Sequence, residues 1–177
     1  MTNFETMRRR LTMLLLAVLT SVAAGTASAN DLPDPRITPG ATNPDVTQEN
    51  IQATVCVKGW TKTIRPPKYY TNKLKKTQIM QYRLQDRDPR DYEEDHLVAL
   101  SIGGHPTDPR NLWPQPRQSG WNAQQKDQLE FVLYKMVCHR EIGLVDAQVA
   151  MSSNWVEAYK RFVPTHPHYM PRGQFAD

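Results

Sequence analysis

The chain has 177 residues, 22 Lys/Arg against 18 Asp/Glu, and 39% hydrophobic residues. That length suits one compact domain, and beyond residue 29 no apolar run approaches the ~20 residues of a spanning helix, which excludes a multi-span membrane protein. Two cysteines and no C-x-x-C exclude a cysteine-based structural zinc site.

Residues 1–29 read as a secretory signal peptide. Arg8-Arg9-Arg10 supply the positive start, Leu11 to Val22 the apolar core, and Ala27-Ser28-Ala29 the cleavage site, with an uncleaved anchor as the alternative. The expected protein is therefore exported, to the periplasm or the medium, and not held in a membrane. Without this segment the formal net charge falls from +4 to +2. Residues 30–50 form an irregular arm broken by Pro33, Pro35, Pro39 and Pro44. The domain proper is expected over 51–163, with a tail over 164–177.

Within the domain, Thr47 caps a short predicted helix over Gln48–Thr54, and Val55-Cys56-Val57 is strand-like. A lysine-rich helix follows from Thr71 or Asn72 to about Leu84. Leu97 to Leu100 reads as a strand, Ser101 to Arg110 as a turn region, and Asn111 to Trp113 as a second strand stopped by Pro114 and Pro116. Leu129, Val132, Leu133, Met136 and Val137 recur at helical spacing and predict a helix from about Trp121 to Arg140. A last helical segment is expected to break near Ser152-Ser153-Asn154. The fold class is α+β.

In an exported chain an even pair of cysteines reads as a disulfide, Cys56 to Cys138, with two buried free thiols as the alternative. From Lys58 to Arg90 there are ten Lys/Arg against two Asp, and Asp91, Glu93, Glu94 and Asp95 follow at once. A basic flank beside an acidic focus fits attraction of a polyanion together with a divalent cation, although a solvated helix face shows a similar run.

The chemistry concentrates at Asp95-His96, Gly103-Gly104, Asn111-Leu112, and Asn122 with Lys126. Phosphodiester hydrolysis needs a base for water and a group that offsets phosphorane charge, and one histidine plus one metal can divide that work. In an extended segment Asp95 and His96 alternate faces, so they do not duplicate each other.

These motifs resemble the HNH endonuclease signature of the ββα-metal, or His-Me finger, superfamily. Thr38 to Ala41, Cys56 to Thr61, Arg65-Pro66-Pro67, Asn111 to Pro114 and Lys126-Asp127 extend a resemblance to exported bacterial HNH-like proteins. The resemblance implies a ββα-metal hairpin-plus-helix core with additional helices around it. It implies His96 as general base, Asp95 and Asn122 as metal ligands, and Asn111 as the brace that orients His96. Lys126 takes the position of the helical lysine expected at phosphate. The implied cofactor is a divalent ion, Mg²⁺ ahead of Mn²⁺ or Zn²⁺. The implied activity is endonucleolytic hydrolysis of nucleic acid, DNA ahead of RNA, with little sequence reading, by a monomer.

Two departures bear on the helix. There is no C-x-x-C pair around the motif, and Asn122 and Lys126 are separated by one residue more than the commoner Asn-x-x-Lys. The extra residue turns the lysine about 100° around the helix. Asn122 also suits an N-cap, and Asn111 a plain turn residue. Lys73 and Lys76 are candidate phosphate contacts, or simply a solvated face. His105 reads as a surface residue, and the four tryptophans as packing. The alternative function is a secreted or envelope binding domain that keeps the same frame without hydrolysis.

Overall fold

The computed structural model describes residues 31–170, so the expected signal peptide and the end of the tail lie outside the described residues. Among the described residues, four α-helices and one two-stranded antiparallel sheet make the fold α+β. Helix α1 is Trp60–Ile64 and α2 is Lys68–Gln81. Strand β1 is Tyr92–His96 and β2 is Leu112–Pro116. Helix α3 is Ala123–Cys138 and α4 is Leu144–Phe162. No described helix is long and apolar enough to cross a membrane.

The strands are not where the apolar run suggests. β1 is the charged stretch Tyr92-Glu93-Glu94-Asp95-His96, and Leu97 to Leu100 turns into a 3-10 segment over Leu100–Ile102. All four of Leu97 to Leu100 are buried, so the run is core lining rather than sheet. Nor do Pro114 and Pro116 stop β2. Leu97 N donates to Asn111 O and Arg117 N to Asp91 O, which sets the pairing parity. The partners Glu94↔Pro114 and Tyr92↔Pro116 are then the non-hydrogen-bonded pairs, where a missing N–H removes nothing from the ladder.

Other elements shift for local reasons. The expected helix over Gln48–Thr54 is a single 3-10 turn, Ile51–Ala53, entered from Asn50. Val55 to Val57 is a turn, not a strand. Helix α2 starts at Lys68, behind Pro67, rather than at Thr71. Proline fixes the entry angle and needs no N–H partner there. Helix α4 is kinked at Asn154, whose φ of −166° and ψ of 93° leave the helical region, and its side chain accepts from Glu157 N at 3.1 Å as an internal cap.

The core lies where α3 and α4 pack and where the loop after β1 rests on them. Leu129, Val132, Leu133 and Val137 of α3 meet Ala147, Met151, Trp155 and Val156 of α4 in one buried cluster with Leu97, Val98 and Ile102. The arm joins it: Val46 is buried, Thr42 bridges to Gly104, and Asp31 O accepts from Trp155 Nε1 at 3.0 Å. Cys56 and Cys138 form a disulfide over a sequence separation of 82. In the chain-entropy picture a loop of that length contributes about 4 kcal/mol. It ties the 55–59 segment to the end of α3.

Candidate active site

His96 closes β1 and is 5% exposed. Its Nε2 lies 2.9 Å from Pro106 O. A carbonyl only accepts, so Nε2 carries the hydrogen and the neutral ring keeps its lone pair on Nδ1. Nδ1 makes no hydrogen bond among the described residues. Burial holds His96 below its ordinary pKa, aided by the charges of Lys126 and Arg65 and opposed by the Pro106 hydrogen bond and Asp95. At neutral pH the ring is thus uncharged, fixed in tautomer, and basic at one nitrogen.

The loop that presents the Pro106 carbonyl is held by Asn111. Its Oδ1 accepts from Val98 N at 2.8 Å, and its Nδ2 donates to Val98 O at 2.9 Å and His105 O at 3.1 Å. Asn111 is wholly buried. It bridges the two ends of the loop between the strands, and the residue after His105 receives His96. The loop closes over Gly103, at φ 78°, and Gly104, whose missing Cβ would stand 1.8 Å from Val98 O. His105 turns back into the same loop: its Nδ1 accepts from Asp108 N at 2.9 Å.

Asp95 alternates to the other face of β1 and meets α3. There Lys126 Nζ donates to Asp95 Oδ2 at 2.6 Å, to His96 O at 2.7 Å and to Glu130 Oε1. Lys126 is 0% exposed, which corrects the expectation that it reaches phosphate. Its charge is satisfied inside the protein. Burial alone would lower its pKa, but Asp95 and Glu130 outweigh that and hold it above its ordinary value. Glu130 is pushed up by burial, with Lys126 pulling it back.

Asn122 is the N-cap of α3. Its Oδ1 accepts from Gln124 N at 3.0 Å, and Gln125 Oε1 accepts from Asn122 N at 2.8 Å, which completes a capping box. Its carbonyl oxygen is therefore engaged in the helix start. Lys73 and Lys76 are exposed on α2, while Lys75 between them donates to Tyr92 O at 3.0 Å and is tied to β1.

Whether these groups fit a divalent ion can be read from their partners. Asp95 offers an oxygen donor, yet an ammonium already stands 2.6 Å from it, and the Asn122 oxygen is occupied. Among the described residues no three His, Cys, Asp or Glu side chains group so as to hold a metal. The donors as placed do not make a cation site of the protein alone.

Sequence reasoning missed three participants. The Pro106 carbonyl is a backbone group and carries no residue-type signal. Glu130 was legible as the i+4 partner of Lys126. Glu94 shares the His96 face of β1, and both its carboxylate oxygens are buried without a hydrogen-bond partner among the described residues. Burial pushes its pKa up to about 8, with Asp95 adding and Lys75 opposing. A carboxyl raised this way stabilises the fold below its ordinary range, and that stability is lost as pH rises through about 8. Glu94→Gln should therefore flatten the decline in melting temperature between pH 5 and pH 8.5. Parallel declines in both proteins would refute the assignment.

In comparisons with known proteins, no family model, no curated protein and no solved structure matches this chain.

Proposed function

We propose that this chain is an exported phosphodiesterase of HNH type that cuts nucleic acid, DNA ahead of RNA, with His96 as general base. The observation that carries the reading is the His96 ring: neutral by burial, donating through Nε2 to Pro106 O at 2.9 Å, and left with a basic Nδ1. The order β1, β2, α3, with Asn111 bracing the loop between the strands, supports the same reading. In the proposed step Nδ1 takes a proton from water as the water oxygen bonds to phosphorus. The P–O bond to the leaving oxygen breaks with its electron pair, and solvent protonates that oxygen. Arg65, close enough for its charge to act on His96, is the cation assigned to the anionic substrate, since Lys126 is spent inside the protein.

An HNH reading brings a divalent ion with it, Mg²⁺ foremost, held through Asp95. The donor set does not fit such an ion without the substrate, and no step is assigned to it. The test is plasmid nicking by the purified protein with Mg²⁺ and with EDTA, beside His96→Ala. General-base removal is expected to reduce nicking at least about a hundredfold while the circular dichroism spectrum is unchanged. Equal nicking by both proteins would end the proposal. Loss of nicking in EDTA assigns the electrophilic role to a cation recruited with the phosphate, and retained nicking assigns it to side chains.

One observation favours a second reading. The Lys126 ammonium already neutralises Asp95, as suits a binding domain that keeps the frame without hydrolysis. Nucleic-acid binding with no nicking in Mg²⁺, Mn²⁺ or Zn²⁺ would select it.

A further inference from the structure

Beside the Asp95–Lys126–Glu130 cluster, the 55–59 segment, α1 and α3 enclose an open pocket of about 360 Å³. Its lining mixes groups that a simple core gap does not combine. Val57 and Phe131 are among the few large apolar side chains that stay exposed, at 45% and 38%. Tyr134 lies beside Phe131, with ring centroids 6.3 Å apart. Lys58 and Arg65 stand on the lining with them, and so does Glu130. Glu130 Oε1 is engaged by Lys126, and the side chain keeps 21% exposure on the lining. The Disulfide Cys56–Cys138 fixes the 55–59 wall against α3.

The pocket is joined to the proposed base through one ammonium. Lys126 Nζ bonds both Glu130 and His96 O, so the carboxyl and the end of β1 are two hydrogen bonds apart. Arg65 is close enough for its charge to act on both His96 and Asp127. An occupant of this pocket therefore lies on the Asp95 side of β1, linked through Lys126 to the strand end that carries His96.

Resting on the phosphodiesterase reading, we propose that this pocket seats one unstacked guanine of a single strand. Phe131 and Tyr134 provide the stacking surface, and Glu130 accepts from the N1–H and N2–H edge. Lys58 and Arg65 hold the flanking phosphate. Stacking on an aromatic ring is tolerant of base identity, whereas a carboxylate acceptor is not. Guanine presents two adjacent donors to it. Uracil and thymine present one donor between two carbonyl acceptors, which the carboxylate repels. The outcome would be low but definite sequence preference laid over phosphate-driven binding.

The test is calorimetric titration of the purified protein with GMP, UMP and inorganic phosphate at one ionic strength. GMP is expected to bind at least tenfold more tightly than UMP or phosphate. Phe131→Ala, an exposed position, should weaken GMP at least fivefold with the melting temperature unchanged. Glu130→Gln should reduce the GMP-to-UMP ratio. If that variant does not fold, the ratio is read instead with inosine and 7-deazaguanosine monophosphates. Loss of N2–H should then weaken binding and loss of N7 should not. Equal binding of GMP, UMP and phosphate, or no effect of Phe131→Ala, would overturn the assignment. His96→Ala should retain GMP binding. Nicking that depends on His96 without GMP selectivity would remove the pocket and leave the nuclease reading. GMP selectivity with His96-independent nicking would do the reverse.

Discussion

Lys126→Met should destabilise the protein by about 3–5 kcal/mol, the range for removing one partner of a buried ion pair. Methionine is similar in length and apolar, so the volume survives and the charge is lost. Asp95 Oδ2, Glu130 Oε1 and His96 O then lose their common donor at a position with 0% exposure. Two carboxylates are left facing one another on β1 and α3. The deficit has a defined pH sign. Removing the cation takes away the charge that pulls Glu130 back down, so the variant is closest to wild type where Glu130 is protonated and falls behind as pH rises. Urea unfolding at pH 5 and pH 8 should show a smaller difference at pH 5. Adding Asp95→Asn and Glu130→Gln to Lys126→Met should recover part of the loss, because neutral partners are less costly to bury. A Lys126→Met protein as stable as wild type at pH 8 would show that the ammonium is not structural.

Lys126 also shows how far residue types carry the reading. Lysine in a charged chain is expected at the surface, and the resemblance assigned it to phosphate. It is buried because Asp95 and Glu130 converge on it from two elements, and only the i+4 half of that arrangement is visible in sequence. Asn122 is a plainer case. The run Asn122-Ala-Gln-Gln125 carries a capping-box pattern, and the cap is what the helix start uses. The strand placement failed for another reason. β1 alternates Tyr92, Glu94 and His96 on one face with Glu93 and Asp95 on the other, so a buried face made of polar groups gives no hydrophobic period. Where the signal was covalent or strongly periodic it carried through. The disulfide, the buried stripe of α3 and the kink near Asn154 all stand where the residues put them.

Asn111→Ala should cost about 3 kcal/mol or more and reduce any His96-dependent nicking further than the loss of folded protein explains. Truncation leaves Val98 N, Val98 O and His105 O without the partners they have now, and each buried unsatisfied group costs about 1–3 kcal/mol. The same loop also depends on Gly104, since a Cβ there would collide with Val98 O and sit 2.8 Å from Asn111 Nδ2. Gly104→Ala must therefore push the Val98 carbonyl and the Asn111 amide apart. Both substitutions displace one hydrogen-bonded unit, so their effects should not add. The double variant is expected to be less destabilised than the two single losses together, by at least about 0.5 kcal/mol. The functional consequence runs through Pro106. His105 O is a direct Asn111 partner, the next carbonyl receives His96 Nε2, and a loop free to move gives up the tautomer that leaves Nδ1 basic. Denaturant unfolding of the three variants measures the coupling, and nicking per folded molecule measures the positioning. Additive stabilities with unchanged specific activity would show that Asn111 is a turn residue and nothing more.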